Sequence, residues 1–214
     1  MNTTEVISRI ADCRLVPVIK LDSADSAVPL AQALAESGLP VAEITFRTAA
    51  AGESIRRIAR EAPQVLLGAG TVLTVDQIKE AVDAGAQFIV TPGFNPKVVD
   101  YCVSNGIPIT PGINNPTGIE AALSYGISVV KFFPAEASGG TKMLKAMSAP
   151  YGDVRFMPTG GVGPDNLGEY LALKSVVAVG GSWMVPGDKI KSGDFAAVGA
   201  LVKEAVALAR SLRP

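Results

Sequence analysis

The sequence predicts an α/β protein, a single (β/α)8 TIM barrel spanning residues 1–214 with a short helix at its N-terminus. Three observations carry this expectation. Apolar, strand-like runs alternate with helix-like segments eight times at nearly even spacing, the pattern of a parallel sheet. Glycine follows most of the helical segments and proline opens several, so the boundaries are marked. No Gly-x-Gly-x-x-Gly turn follows the first strand, which weighs against an open doubly wound sheet, and 214 residues lie near the lower end of the barrel size range.

Taken in order, residues 2–12 form the leading helix. Leu15 to Lys20 is the first strand, and the helix Asp25 to Ser37 stops at Gly38. The strand Val41 to Phe46 precedes a helix from Ala50 to Glu61, ended by Pro63. The strand Val65 to Gly70 precedes the helix Val75 to Ala84, and Gly85 caps it. The strand Gln87 to Thr91 leads to the helix Pro96 to Ser104, and Ile107 to Pro111 to the helix Pro116 to Tyr125. The sixth strand is 128–133, followed by a helix at 140–148. Arg155 to Pro158 precedes a helix from Pro164 to Leu173, with proline in its first turn. Val176 to Val179 is the last strand and Phe195 to Ser211 the last helix. No linker or low-complexity stretch marks a second domain.

Composition narrows the function. The chain is 48% hydrophobic with formal net charge −1, which gives no electrostatic footprint for nucleic acid or an anionic membrane. No apolar run approaches the ~20 residues needed to cross a bilayer. Met1 to Asp12 lacks the cationic-then-apolar pattern of an export signal, so a cytoplasmic setting is expected, with Cys13 and Cys102 reduced. There is no histidine. That removes the commonest general base, the Ser-His-Asp and Cys-His arrangements, and histidine-ligated zinc. Acid–base chemistry falls to Glu, Asp, Lys, Tyr or water, and neither a metal nor another cofactor is expected.

In a barrel, chemistry collects at the C-terminal ends of the strands. The sixth strand reads Val129-Val130-Lys131-Phe132-Phe133, one lysine among apolar neighbours with no acid before Glu136. Poor solvation favours a neutral amine, which is a nucleophile and forms a Schiff base with a ketone. The bland alternative is a lysine whose stem is buried and whose head reaches water. In the second strand, Ala42, Ile44 and Phe46 form an apolar face, and Glu43, Thr45 and Arg47 a polar face aimed into the barrel. Burying such charge is costly unless it pairs or takes part in chemistry. Gly68-Ala69-Gly70 lets a ligand approach the backbone, with Thr71 offering a hydroxyl. Thr91-Pro92-Gly93 and Thr110-Pro111-Gly112 read as turn chemistry. Thr159-Gly160-Gly161 and Gly180-Gly181-Ser182 end the seventh and eighth strands. There, exposed amides, helix starts and a hydroxyl beside each glycine pair suit a phosphate. Lys20 reads as solvated, and Trp183 as packing.

The segments 43–48, 68–72, 131–136, 158–161 and 180–183 resemble those of the KDPG/KHG aldolases, in order from about Pro17 to Pro186. These class I enzymes cleave 2-keto-3-deoxy-6-phosphogluconate (KDPG) and often 4-hydroxy-2-oxoglutarate (KHG). The resemblance implies a homotrimer acting on a small-molecule substrate without a metal. It implies that Lys131 forms the Schiff base and Glu43 is the general acid/base. Arg47 and Thr71 would bind the pyruvyl portion, with Pro92 and Phe133 lining the site. Thr159, Gly160, Gly161, Gly181 and Ser182 would hold the phosphate end. Alternatives are a related 2-keto-3-deoxy sugar-acid lyase, a phosphosugar isomerase, or a binding barrel without turnover.

Overall fold

The computed structural model describes residues 1–212, so the last two positions of the predicted 1–214 unit lie outside it. Helix α1 (Thr3–Cys13) starts at a capping box: the Asn2 side chain accepts from the Glu5 amide while the Glu5 carboxylate accepts from the Asn2 amide. It buries Val6 and Ile10 and lies across the N-terminal ends of the strands. Then β1 (Leu15–Ile19), β2 (Val41–Thr45), β3 (Leu66–Gly70), β4 (Phe88–Val90) and β5 (Ile109–Thr110) pair in parallel, in chain order. Helices α2 (Ala27–Glu36), α3 (Ala51–Glu61), α4 (Val75–Asp83) and α5 (Pro96–Ser104) connect them.

β6 (Gly112–Ile113) continues β5 after a break at Pro111, whose ring nitrogen has no hydrogen for a ladder. The Pro111 carbonyl still accepts from the Lys131 amide, so the two pieces act as one barrel strand. After α6 (Pro116–Ser124), β7 (Val129–Phe132) pairs with β6 and, across α7 (Gly140–Ser148), with β8 (Arg155–Pro158). β9 (Val179–Gly181) pairs with β1. The bridges Phe156–Val176 and Thr159–Gly180 join β8 to the β9 segment, which closes the ring. The remaining helices are α8 (Leu167–Leu171), α9 (Gly187–Ser192) and α10 (Phe195–Leu212).

Most predicted elements are present within a residue or two, two differ, and β6 lies beyond the predicted fifth strand. The last strand is Val179–Gly181 rather than Val176–Val179. Its glycines sit inside the strand because side chains crowd against them (below). The helix predicted from Pro164 shrinks to α8, because residues 164–166 form turns. α9 was not anticipated. The apolar core lies between the strands and the helix layer, where Ala42, Ile44 and Val130 are fully buried. Burying a side chain of this kind stabilises the fold by about 1.5–3 kcal/mol for the larger ones.

Candidate active site

The five residues of β2 are all buried. Ala42 and Ile44 face the helices, so alternation turns Glu43 and Thr45 into the barrel. Glu43 has no solvent exposure and lies level with Val18 on β1 and Gly68 on β3. Its carboxylate occupies the space beside Gly70. A Cβ at Gly70 would fall 2.2 Å from Glu43 Oε1 and 2.6 Å from its Cγ. Gly70 at the end of β3 therefore makes room for the acid itself. Gly68 does the same for the Phe88 ring, 2.2 Å from a Cβ placed there.

Lys131 comes from the opposite side of the ring, on the sixth barrel strand against the second. Its Nζ donates to Glu43 Oε1 at 3.2 Å across 88 residues of sequence, and the two side chains are 6% and 0% exposed. The acid that sequence neighbours lacked is thus supplied by the fold. Of the two phenylalanines that follow, Phe133 faces the amine, its ring centre 5.3 Å from Nζ. Phe132 alternates outward into the core. Glu43 Oε2 is buried and has no hydrogen-bond partner among the described residues. A buried carboxylate oxygen left without a donor costs roughly 1–3 kcal/mol, so its place in the barrel points to a ligand or water that uses it.

Lys131 opens into a cavity of about 290 Å³ at the C-terminal end of the strands. Arg47, Thr71, Pro92 and Phe133 line one part of it, and Thr159, Gly160, Gly161, Gly181 and Ser182 another. The residues predicted to bind substrate are therefore brought together around Lys131, with Glu43 behind it. Val18, Thr45 and Val162 complete the lining. The strand alternation already pointed Thr45 inward. Its hydroxyl donates to the Ile19 carbonyl at 2.8 Å and accepts from Arg47 Nε at 3.0 Å, which aims the guanidinium. Thr71 sits at φ +56°, a left-handed conformation that strains a β-branched residue, on a loop that presents it to the cavity.

The two glycine pairs differ. Gly160 and Gly161 have φ +100° and +81°, which a side chain would strain, so they form a true turn. Gly180 and Gly181 make room instead. Their Cβ atoms would meet Thr159 Oγ1 at 2.3 Å and the Trp183 ring at 1.8 Å, in keeping with the packing role read for Trp183. No helix starts at either pair, since α8 begins at Leu167 and α9 at Gly187. The turn itself, rather than a helix end, lines the cavity. Pro92 belongs to a turn held by Thr91, whose hydroxyl donates to the Gly93 carbonyl at 2.7 Å. Lys20 stands outside, half exposed, in a 2.8 Å ion pair with Asp22.

The model of one family, KDPG and KHG aldolase, matches residues 6–201. The chain belongs to the KDPG and KHG aldolase family. It is 51% identical over 205 residues to the 2-dehydro-3-deoxy-phosphogluconate aldolase of Haemophilus influenzae, covering 96% of this chain and 97% of that one. Among solved structures it resembles the Legionella pneumophila KDPG aldolase with pyruvate captured as a covalent carbinolamine. The TM-score is 0.90 and the identity 37%, over 93% of this chain and 97% of the other. It also resembles the Zymomonas mobilis aldolase with 3-phosphoglycerate, at TM-score 0.91 and 38% identity over 96% and 97% of the two chains. The barrel is thus the family's fold.

Proposed function

We propose that this chain is a class I aldolase that cleaves KDPG to pyruvate and glyceraldehyde 3-phosphate, and KHG to pyruvate and glyoxylate, through a Schiff base on Lys131. One observation carries the reading: a buried amine that lines a cavity lies 3.2 Å from a buried carboxylate, whose second oxygen is unpaired among the described residues.

Transfer of a proton from Nζ to Oε1 leaves a free amine beside a neutral acid. The amine attacks the C2 ketone; the resulting carbinolamine takes the proton back from Glu43 as its hydroxyl leaves as water, which gives an iminium and restores the Glu43 carboxylate. Arg47, aimed by Thr45, pairs with the substrate carboxylate, and Thr71 donates to the same end. Glu43 takes the C4 hydroxyl proton, directly or through a water on Oε2. The C3–C4 bond breaks, its electron pair moves into the iminium, and the aldehyde departs. The enamine left on Lys131 is protonated at C3, and water frees pyruvate. The Thr159–Gly161 turn, with Gly181 and Ser182, receives the phosphate of the leaving aldehyde.

The homotrimer implied by the resemblance and a cytoplasmic setting belong to the same reading; two free cysteines, Cys102 buried and Cys13 half-buried, support a reducing compartment. The test is pyruvate release from KDPG, followed by a coupled reductase in excess chelator. Turnover by the protein and none by Lys131→Met supports the reading. Turnover that survives the substitution removes it.

A further inference from the structure

Behind the Gly160–Gly161 turn stands a set of contacts that the reaction itself does not use. Residues 135 and 136 continue the β7–β8 ladder beyond the strand ends. The Ala135 amide donates to the Thr159 carbonyl at 2.8 Å and the Glu136 amide to the Gly160 carbonyl at 3.0 Å. Gly161 packs directly on Glu136, whose Cβ would lie 2.7 Å from a Cβ at Gly161. The Glu136 carboxylate in turn accepts from the hydroxyl of Tyr170, a fully buried side chain on α8. Burial, and then the bond to Glu136, push the Tyr170 phenol well above its ordinary range, so it stays a donor throughout the working pH range.

The other end of α8 holds the same turn. Asn166 is the N-cap of this helix, yet its side chain makes no cap bond to the helix amides. It turns back instead. Its Nδ2 donates to the Gly161 carbonyl at 3.1 Å, and its Oδ1 accepts from the Gly163 amide at 2.8 Å. Asn166 and Tyr170, i and i+4 on one short helix, thus grip the turn from two sides. Glycines are the residues with the most backbone freedom to lose. Two adjacent glycines that must present amides to an anion bind it weakly unless something else fixes their conformation beforehand.

We propose that Glu136, Tyr170 and Asn166 are positioning residues that set the shape of the Gly160–Gly161 turn and thereby the enzyme's affinity for the phosphate of its substrate. The proposal rests on the reading above that this turn receives the phosphate. It gives KDPG preference over KHG a seat outside the cavity, in side chains that touch neither substrate nor Lys131.

The experiment compares steady-state kinetics on KDPG and on phosphate-free KHG, with inorganic phosphate as a competitive inhibitor. Tyr170→Phe removes one oxygen. It is expected to raise KM for KDPG and Ki for phosphate about 10-fold, as befits a lost bond to a charged group, with kcat and all KHG parameters within about twofold. Asn166→Ala, at a half-buried position, is expected to do the same and carries the test if Tyr170→Phe folds poorly. Glu136→Gln keeps an acceptor for the phenol and is expected to retain most of the affinity, whereas Glu136→Ala is not. Equal losses on both substrates, or no change on either, overturn the proposal. Ser182→Ala, in the cavity wall itself, separates the two levels. If it discriminates between the substrates and the α8 variants do not, the brace is wrong and the phosphate reading stands. If Ser182→Ala does not discriminate either, both fall.

Discussion

Replacing Gly70 by alanine is expected to disable the enzyme without dismantling the barrel. The added Cβ would stand 2.2 Å from Glu43 Oε1, 2.6 Å from Cγ and 2.7 Å from Cδ. Ordinary carbon contacts lie near ~3.5–4.0 Å, so the carboxylate must move by roughly 1 Å or more. It is held in β2 by pairing on both sides and has no solvent to retreat into. A shift of that size at a reacting group costs on the order of 10²-fold in rate. Overpacking costs about 1–3 kcal/mol of stability, which for a chain of this size lowers Tm by roughly 2–4 °C per kcal/mol. Gly68→Ala is the matched control. It creates the same 2.2 Å overlap two residues earlier on β3, but against the apolar Phe88 ring. Both variants are melted by circular dichroism and assayed for pyruvate release from KDPG. Similar losses of Tm, with kcat down about 10²-fold in Gly70→Ala and little changed in Gly68→Ala, are the expected result. A Gly70→Ala enzyme within threefold of the parent, or a Gly68→Ala enzyme equally impaired, refutes the claim that β3 is cut away to seat Glu43.

Two further substitutions test the chemistry. Glu43→Gln keeps the shape and an acceptor for Lys131 but cannot take the C4 proton, so kcat is expected to fall about 10²–10⁴-fold with the fold intact. A rate unchanged across pH contradicts the acid–base role. Thr71→Gly removes a hydroxyl and the strain of φ +56° together. Release of a strained backbone, worth on the order of 1–3 kcal/mol, offsets the greater freedom of the unfolded glycine, so Tm should not fall while KM for substrate rises. A lower Tm with unchanged KM shows that Thr71 serves the fold alone.

Local pattern carried much of this into view before any coordinates. The alternation in β2 separates Ala42 and Ile44 from Glu43 and Thr45, because a strand has only two faces. The run around Lys131 marks a buried strand by its apolar neighbours alone. What pattern missed depends on chain brought from far away. The partner of Lys131 is 88 residues distant and reaches it only when the ring closes. Glycines were the hardest to read. The sequence cannot distinguish a glycine that turns, such as Gly160, from one that vacates space, such as Gly70 for Glu43 or Gly181 for Trp183. That ambiguity also misplaced the last strand, which runs through Gly180 and ends at Gly181. The brevity of α8 follows from Asn166, whose side chain holds the loop instead of capping the helix.

The measurement closest to the central claim is borohydride reduction in the presence of pyruvate, read by intact mass and peptide mapping. The structure places one amine, Lys131 Nζ, in the cavity wall, paired with the buried Glu43. The account predicts one pyruvyl adduct per chain, on Lys131, absent in Lys131→Met. No adduct from folded protein that binds pyruvate, or an adduct on another lysine, contradicts it.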